Sequence, residues 1–447
     1  LKKKILLLVL LTLLLIPATV MANTEEKTSR SNDAPSIQIG AELEPRTDTT
    51  FPAGDFTGGM NVTAYSSPDS SFDVTLSYLR SAKNSIDIEI YAISNGFLLH
   101  ELNQAYQRNN NIKIKVVASW ISSGFEKSDT RAALYNISQI PLDYESQTNI
   151  QLYWTDDSPY ERTHAKFIII DEEVVLIQSA NWAKTGIPPS PTTGNREWGV
   201  AVKNQNVVDY YLEIFGYDLI NSKLYTPNPD DFKDFSASIS TGSYTHPFSE
   251  ETFIGTMRIR TIVTPDNAIP TIIELLESAS DTLDVQQMYI RIDWHEGYED
   301  LFMEELVDAA QRGVDVRVIL DQKYNKEENL ETANYLDSFG IEVKFGDTTK
   351  LDAIHNKGVI VDEKAVLVSS INWSNESVTE NRETGIIIYD SDVANYFTNI
   401  FEWDWAAGEI PEGLPEFTGL QIMFPLIALT IALLTTIKLR KKQVKTG

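Results

Sequence analysis

The chain has 447 residues, 42% hydrophobic and 10% aromatic, which suffices for two core-bearing units and excludes a largely disordered protein. Its 64 acidic residues outnumber 37 basic ones, for a formal charge of −27, so its surface repels polyanions and broad binding to duplex nucleic acid is disfavoured. With no Cys, disulfide, thiol-redox and thiolate-metal chemistry are excluded, and cysteine usage is silent on compartment.

The first segment, LKKKILLLVLLTLLLIPATVMA, sets three lysines before an apolar run and ends on small residues at Val20 and Ala22. This is the pattern of a secretory signal peptide over 1–22, cut after Ala22, with an uncleaved anchor helix as the alternative. Residues 23–58 are polar and rich in Thr, Ser, Glu and Pro, and are expected to form a flexible spacer. Sequons at Asn61 and Asn136 fit surface glycosylation outside the cell.

From residue 60 the chain repeats itself. SPDSSFDVTLSYLRSAKNSIDIEIY from Ser67 aligns without a gap on TPDNAIPTIIELLESASDTLDVQQM from Thr264, each a turn, an amphipathic helix and a strand. LLHELNQAYQRNNNIKIKVVAS then faces LFMEELVDAAQRGVDVRVILD, a helix leading into a β-branched strand. Two domains follow, 60–225 and 255–408, separated by a Pro-, Ser- and Asp-rich linker over 226–254. Helices alternating with strands predict a largely parallel sheet with helices on both faces.

After a short stalk over 409–418, residues 419–437 form an uncharged apolar run of bilayer-spanning length. The basic tail 438–447 places the C-terminus inside and the bulk of the chain at the extracellular face of the cell membrane. The stretch 23–437 keeps all 64 acidic residues with 29 basic ones.

The chemistry lies in a paired run: HAKFIIIDEEVVLIQSAN from His164 to Asn181, and HNKGVIVDEKAVLVSSIN from His355 to Asn372. Each reads as a hairpin. With Glu172-Glu173 and Glu363-Lys364 as central residues, His164 faces Asn181, Lys166 faces Ser179, His355 faces Asn372 and Lys357 faces Ser370. Residues two apart share a face of a strand, so these side chains project together. A phosphate is the natural occupant: Lys166 and Lys357 supply charge, Asn181, Asn372, Ser179 and Ser370 supply donors, and all strengthen toward a phosphorane. His164 and His355 are the groups suited to attack and proton transfer near neutral pH.

Two such clusters, brought together by a pseudo-twofold relating the repeats, permit in-line covalent catalysis. One His attacks phosphorus; the other protonates the departing oxygen and then activates water or an alcohol. The nucleophile must be neutral and the acid charged, so their pKa values must be pushed apart. Behind each run stands Asn-Arg-Glu, and Glu197 and Glu383 are candidates to accept from the second ring nitrogen of a His and fix its tautomer. Asp171 and Asp362, at the turns, are read as structural. Arg196 and Arg382 are left between phosphate contact and structural ion pair. Trp182 and Trp373 are expected to pack in both halves, and the loops YWTDDSPYERTH and KTGIPPSPTTG to rim the pocket. His100, His246 and His295 lack such company. Without a ligand cluster at metal spacing, neither a catalytic metal nor a cofactor is indicated.

The pattern H-x-K-(x)4-D-(x)7-S-x-N, present twice, resembles the HKD motif of the phospholipase D superfamily. The resemblance implies two α/β/α sandwich repeats sharing one active site at their interface, metal-independent phosphodiester cleavage and a phosphohistidine intermediate. It also implies His164 as nucleophile and His355 as acid and base. Members typically carry Gly before the motif Ser, where this chain has Gln178 and Ser369. The tail segment PEF ahead of an apolar run and a basic end is similar to archaeal sorting signals processed by a sortase-like protease. The expected substrate is a phospholipid headgroup phosphodiester in a facing membrane, hydrolysed or transferred to an alcohol. A tethered extracellular nuclease is the alternative, made less favourable by the acidic composition.

Overall fold

In the computed structural model the described residues are 51–120, 125–140, 149–155, 159–189, 192–235, 244–245, 247–295 and 298–414. The expected signal peptide, the apolar run 419–437, the basic tail, most of the spacer and His246 lie outside them. Among the described residues no helix is long and apolar enough to cross a membrane.

Each repeat opens on a long strand, β1 (Asp55–Ser67) and β9 (Glu251–Val263), that ends at a cis X-Pro bond. In the first repeat come α1 (Ser71–Ser81), β2 (Ser85–Ile90), α2 (Gly96–Arg108), β3 (Lys113–Ser119), α3 (Phe125–Ser138) and β4 (Ile150–Thr155). The hairpin β5 (Lys166–Ile170) and β6 (Val174–Gln178), then β7 (Glu197–Lys203), α4 (Gln205–Ile220) and the short β8 (Lys223–Leu224) complete it. The second repeat runs α5 (Ala268–Glu277), β10 (Thr282–Gln287), a small ribbon of β11 (Asp293–His295) and β12 (Tyr298–Glu299), α6 (Leu301–Arg312), β13 (Asp315–Leu320), α7 (Lys326–Asp337) and β14 (Glu342–Phe345). It ends with the hairpin β15 (Lys357–Val361) and β16 (Ala365–Ser369), α8 (Asn375–Thr379), β17 (Thr384–Tyr389) and α9 (Ser391–Ala407).

Fifteen strands form one sheet, in the order β14-β13-β10-β15-β16-β17-β9-β1-β7-β6-β5-β2-β3-β4-β8. The two repeats meet at β1 and β9, antiparallel from Asp55↔Arg260 to Ala64↔Glu251, and the order is nearly symmetric about that pair. The sheet is mixed, which corrects the largely parallel expectation: only β2-β3-β4 and β10-β13-β14 are parallel. Within each of those triplets a helix crosses over from one strand to its parallel neighbour. The hairpin strands follow one another without a helix, and a short turn forces antiparallel pairing.

Alternate strand residues feed two different cores, as period-two geometry requires. Ile168 and Ile170 join Leu79, Leu98 and Leu134 of α1 to α3, while Phe167 and Ile169 face the opposite side. There α4 (Val208, Tyr211, Ile214) and α9 (Phe397, Ile400, Phe401) share one cluster with strands of both repeats. The other face of the second repeat buries Leu275 of α5, Phe302 and Leu306 of α6 and Leu336 of α7. One core therefore spans both halves. The helices start where polar caps allow: Asn204 and Asp390 accept from the first free N–H groups of α4 and α9, and Asn95 and Asp300 do so for α2 and α6.

Boundaries differ from the expected ones. β1 begins at Asp55 within the expected spacer, with Phe51 already buried, and β9 begins at Glu251 within the expected linker. The first stalk residue, Glu409, pairs with Phe345 at the edge of β14.

Candidate active site

The hairpin turns are one residue earlier than expected. Left-handed backbone falls on Asp171 and Glu172 (φ 54° and 57°) and on Asp362 and Glu363 (φ 52° and 53°), and Ile170 pairs with Val174. Asp tolerates this conformation, and its carboxylate gains a second role there. Asp171 accepts from the N–H groups of Lys83, Asn84 and Ser85, and Asp362 from those of Ser280, Asp281 and Thr282, tying each turn to the start of β2 or β10. The register shift carries Lys166 toward Gln178 and Lys357 toward Ser369, whose hydroxyl donates to the Lys357 carbonyl at 2.9 Å. Lys166 and Lys357 are thus not cross-strand partners of Ser179 and Ser370.

The residues before each His cross into the other repeat. His164 N–H donates to the Arg382 carbonyl at 2.7 Å and His355 N–H to the Arg196 carbonyl at 3.1 Å, within short parallel bridges Thr163↔Arg382 and Arg196↔Ile354. The neighbour of each Arg is therefore delivered to the opposite His. His164 Nδ1 lies 2.7 Å and 2.8 Å from the Glu383 carboxylate oxygens, and His355 Nδ1 lies 2.8 Å from Glu197 Oε1. Ser370 Oγ donates to Glu383 at 2.6 Å and Ser179 Oγ to Glu197 at 2.6 Å. Both hydroxyls are fully buried, so the expectation that Ser179 and Ser370 touch substrate is corrected: they anchor the carboxylates.

His164 and His355 line one cleft of about 880 Å³, together with Asn181 and Asn372, whose Oδ1 atoms are buried without a hydrogen-bond partner. Lys166 and Lys357 lie beneath, fully buried, each donating to the carbonyl of its own His. Burial lowers both imidazoles. His164 is held well below the ordinary value, with Lys166, Lys357, His355 and Arg162 adding to the effect of burial, whereas Glu197 opposes the shift of His355. Burial also pushes Glu383 up to about 8 and Lys357 down to about 8. The two half-sites are thus electrostatically unequal.

Arg196 and Arg382 form ion pairs away from the cleft. Arg196 bonds Asp404 of α9 through Nε at 2.8 Å and Nη2 at 2.9 Å, and Asp69 through Nη1. Arg382 reaches Asp218 of α4 at 2.9 Å and Asp266 at 2.7 Å. Each joins the last helix of the other repeat. Trp182 and Trp373 are fully buried in their respective cores. The wall and rim bring in residues not singled out from sequence: Tyr91, whose ring stands edge-on to His164 at 4.8 Å, Tyr289, Trp294 and the carboxylates of Asp293, Glu376 and Glu380, beside Glu161. Arg162 and Arg291 are there too, paired with Glu161 and Glu328. Of the expected rim loops, Glu161 and Arg162 contribute, while among the described residues none after Asn181 in the first repeat reaches the cleft lining.

Residues 75–219 and 272–405 match the family described as "Cardiolipin synthase, PLD-like domain", more than half of the chain. The chain belongs to the phospholipase D superfamily, with two such domains. It is 31% identical over 140 residues to the virion nicking-joining enzyme of vaccinia virus (strain Copenhagen), covering 30% of this chain and 32% of that one. It is 36% identical over 95 residues to the mitochondrial cardiolipin hydrolase of Mus musculus, covering 21% of this chain and 42% of that one. The chain thus spans between about a third and about two-fifths of these two relatives. The phosphatidylserine synthase of Haemophilus influenzae Rd KW20 shares the fold, with a TM-score of 0.59 at 14% identity over 78% of this chain and 87% of that one.

Proposed function

We propose that the chain hydrolyses or transfers phospholipid headgroup phosphodiesters through a phosphohistidine on His164. The observation carrying this reading is the pair of histidines in one cleft, each backed by a carboxylate from the opposite repeat. With Nδ1 held by Glu383, Nε2 of His164 is the nitrogen left to attack phosphorus. The bond from phosphorus to the departing alkoxide breaks as His355 gives that oxygen its proton. Water or an alcohol then loses its proton to His355 and attacks phosphorus, the P–N bond breaks, and His164 regains its lone pair. The deeper depression of His164 favours the neutral nucleophile, and Glu197 helps His355 hold the proton an acid needs.

Lys166, Lys357, Asn181 and Asn372 are assigned to the phosphoryl oxygens, where their donors strengthen as charge develops. The lining supports a lipid headgroup over a polynucleotide: among the described residues it carries four carboxylates and two arginines, both arginines in ion pairs with acids. An extracellular position beside the membrane, held by the segment 419–437, completes the proposal. The test incubates the chain with mixed phospholipid vesicles and, separately, a labelled single-stranded oligonucleotide, with His164→Ala as blank. Headgroup release or phosphatidic acid is expected from the vesicles alone; cleavage of the oligonucleotide alone would make the chain a nuclease.

A further inference from the structure

Two strands at equivalent places in the repeats end differently. β2 pairs with β3 from Ser85↔Lys113 and β10 with β13 from Thr282↔Asp315, so Ser119 at the end of β3 corresponds to Asp321 just past β13. Both are fully buried. The Ser119 hydroxyl finds no hydrogen-bond partner among the described residues, whereas both oxygens of Asp321 are engaged. Oδ2 accepts from the N–H groups of Lys323 and Tyr324 at 2.9 Å and 2.7 Å, closing a turn on its own backbone. Oδ1 instead reaches 33 residues along the chain to the Ile354 N–H, at 3.0 Å.

Ile354 precedes His355, and the two sides of its segment are held by different groups. On one side Arg196 N–H donates to the Ala353 carbonyl at 2.8 Å and His355 N–H to the Arg196 carbonyl at 3.1 Å. In such a pairing only alternate residues turn their backbone groups to the partner, so the Ile354 N–H points away from Arg196. Buried there, it would be an orphaned donor without Asp321. In the first repeat Thr163 stands in the place of Ile354, and its hydroxyl donates to Glu89 Oε1 of β2 at 2.5 Å. The segment before His164 is thus held from a neighbouring strand, and the one before His355 from the loop after β13.

We propose that Asp321 is the positioning residue of the half-site that moves protons: by clamping Ile354 it keeps His355 on Glu197 and aimed at the departing and entering oxygens. Burial raises the Asp321 carboxyl, and its three backbone donors and the charge of His355 pull the other way. The functional part rests on the phosphohistidine reading, in which His355 resolves the adduct on His164.

Asp321→Ser installs the first-repeat residue: its hydroxyl still serves the local turn but is too short to hold Ile354 as well. With bis(p-nitrophenyl) phosphate, whose leaving group departs without a proton, its first turnover should stay within about twofold of wild type while the steady rate falls about 10²-fold, the scale of a displaced catalytic group. Equal slowing of both phases, as a general loosening would give, or an unchanged steady rate overturns the proposal. A second readout is taken without substrate, from the ring nitrogens of ¹⁵N-labelled histidine, with His355 assigned by its absence in His355→Ala. The His355 signals should move in Asp321→Ser while those of His164 stay; movement of both, or of neither, counts against the clamp. A wild type that shows neither burst nor turnover would defeat the phosphohistidine reading, and the ring signals would still decide the positioning. If Asp321→Ser does not fold, Asp321→Asn, which keeps the side chain's shape but offers one acceptor oxygen in place of two, is read in the same way.

Discussion

At the scale of single residues, the site depends on what holds each imidazole. His164→Ala and His355→Ala should each lower kcat by at least about 10⁴-fold while leaving the fold intact, measured by turnover and circular dichroism. Ser179 and Ser370 separate the corrected from the expected role. Buried on Glu197 and Glu383, their alanine variants should lower kcat with little change in KM; direct substrate contacts would move KM. Lys357 sets the alkaline limit. Its ammonium is present below its pKa and lost as pH rises, and burial brings that pKa down to about 8, so kcat/KM should fall above about pH 8. The His, Lys and Asn positions stood out because five identities recur at fixed spacing, and the Glu positions because Asn-Arg-Glu follows each run. Glu89, Thr163 and Tyr91 were not assigned; polar and apolar residues alternate through SIDIEI, Ser85–Ile90, so nothing local marks Glu89 as buried.

At the scale of elements, the hairpins and crossovers were readable from hydrophobic period and repetition, but the register was not. Period-two alternation leaves a one-residue choice of turn, and the decision was made by contacts distant in sequence: the Asp171 carboxylate on Lys83, Asn84 and Ser85. The mixed sheet escaped for a similar reason, because β7 and β17 return beside strands whose pairing no local pattern encodes. Asp362→Ala removes an acceptor of three backbone N–H groups and strains a residue at φ 52°. It should cost about 1–3 kcal/mol in urea unfolding with kcat unchanged. Asp362→Asn, which tolerates the left-handed conformation, should cost less.

At the scale of the whole molecule, the pseudo-twofold was legible from the duplicated sequence, and the shared site follows from it. The manner of joining was not: Arg196 and Arg382, open between phosphate contact and ion pair, tie each repeat to the last helix of the other. Arg196→Met leaves Asp404 and Asp69 without their buried cation and should destabilise the chain by about 3–5 kcal/mol in denaturant unfolding. The central claim is that the two histidines of one cleft divide the reaction between them. Its most direct test is a rapid-mixing burst with bis(p-nitrophenyl) phosphate, whose leaving group departs without a proton. His355→Ala should release one equivalent of p-nitrophenolate and stall, with the adduct on His164 by peptide mass, while His164→Ala releases none. A burst in His164→Ala with the adduct on His355, or steady turnover in either variant, would contradict the account.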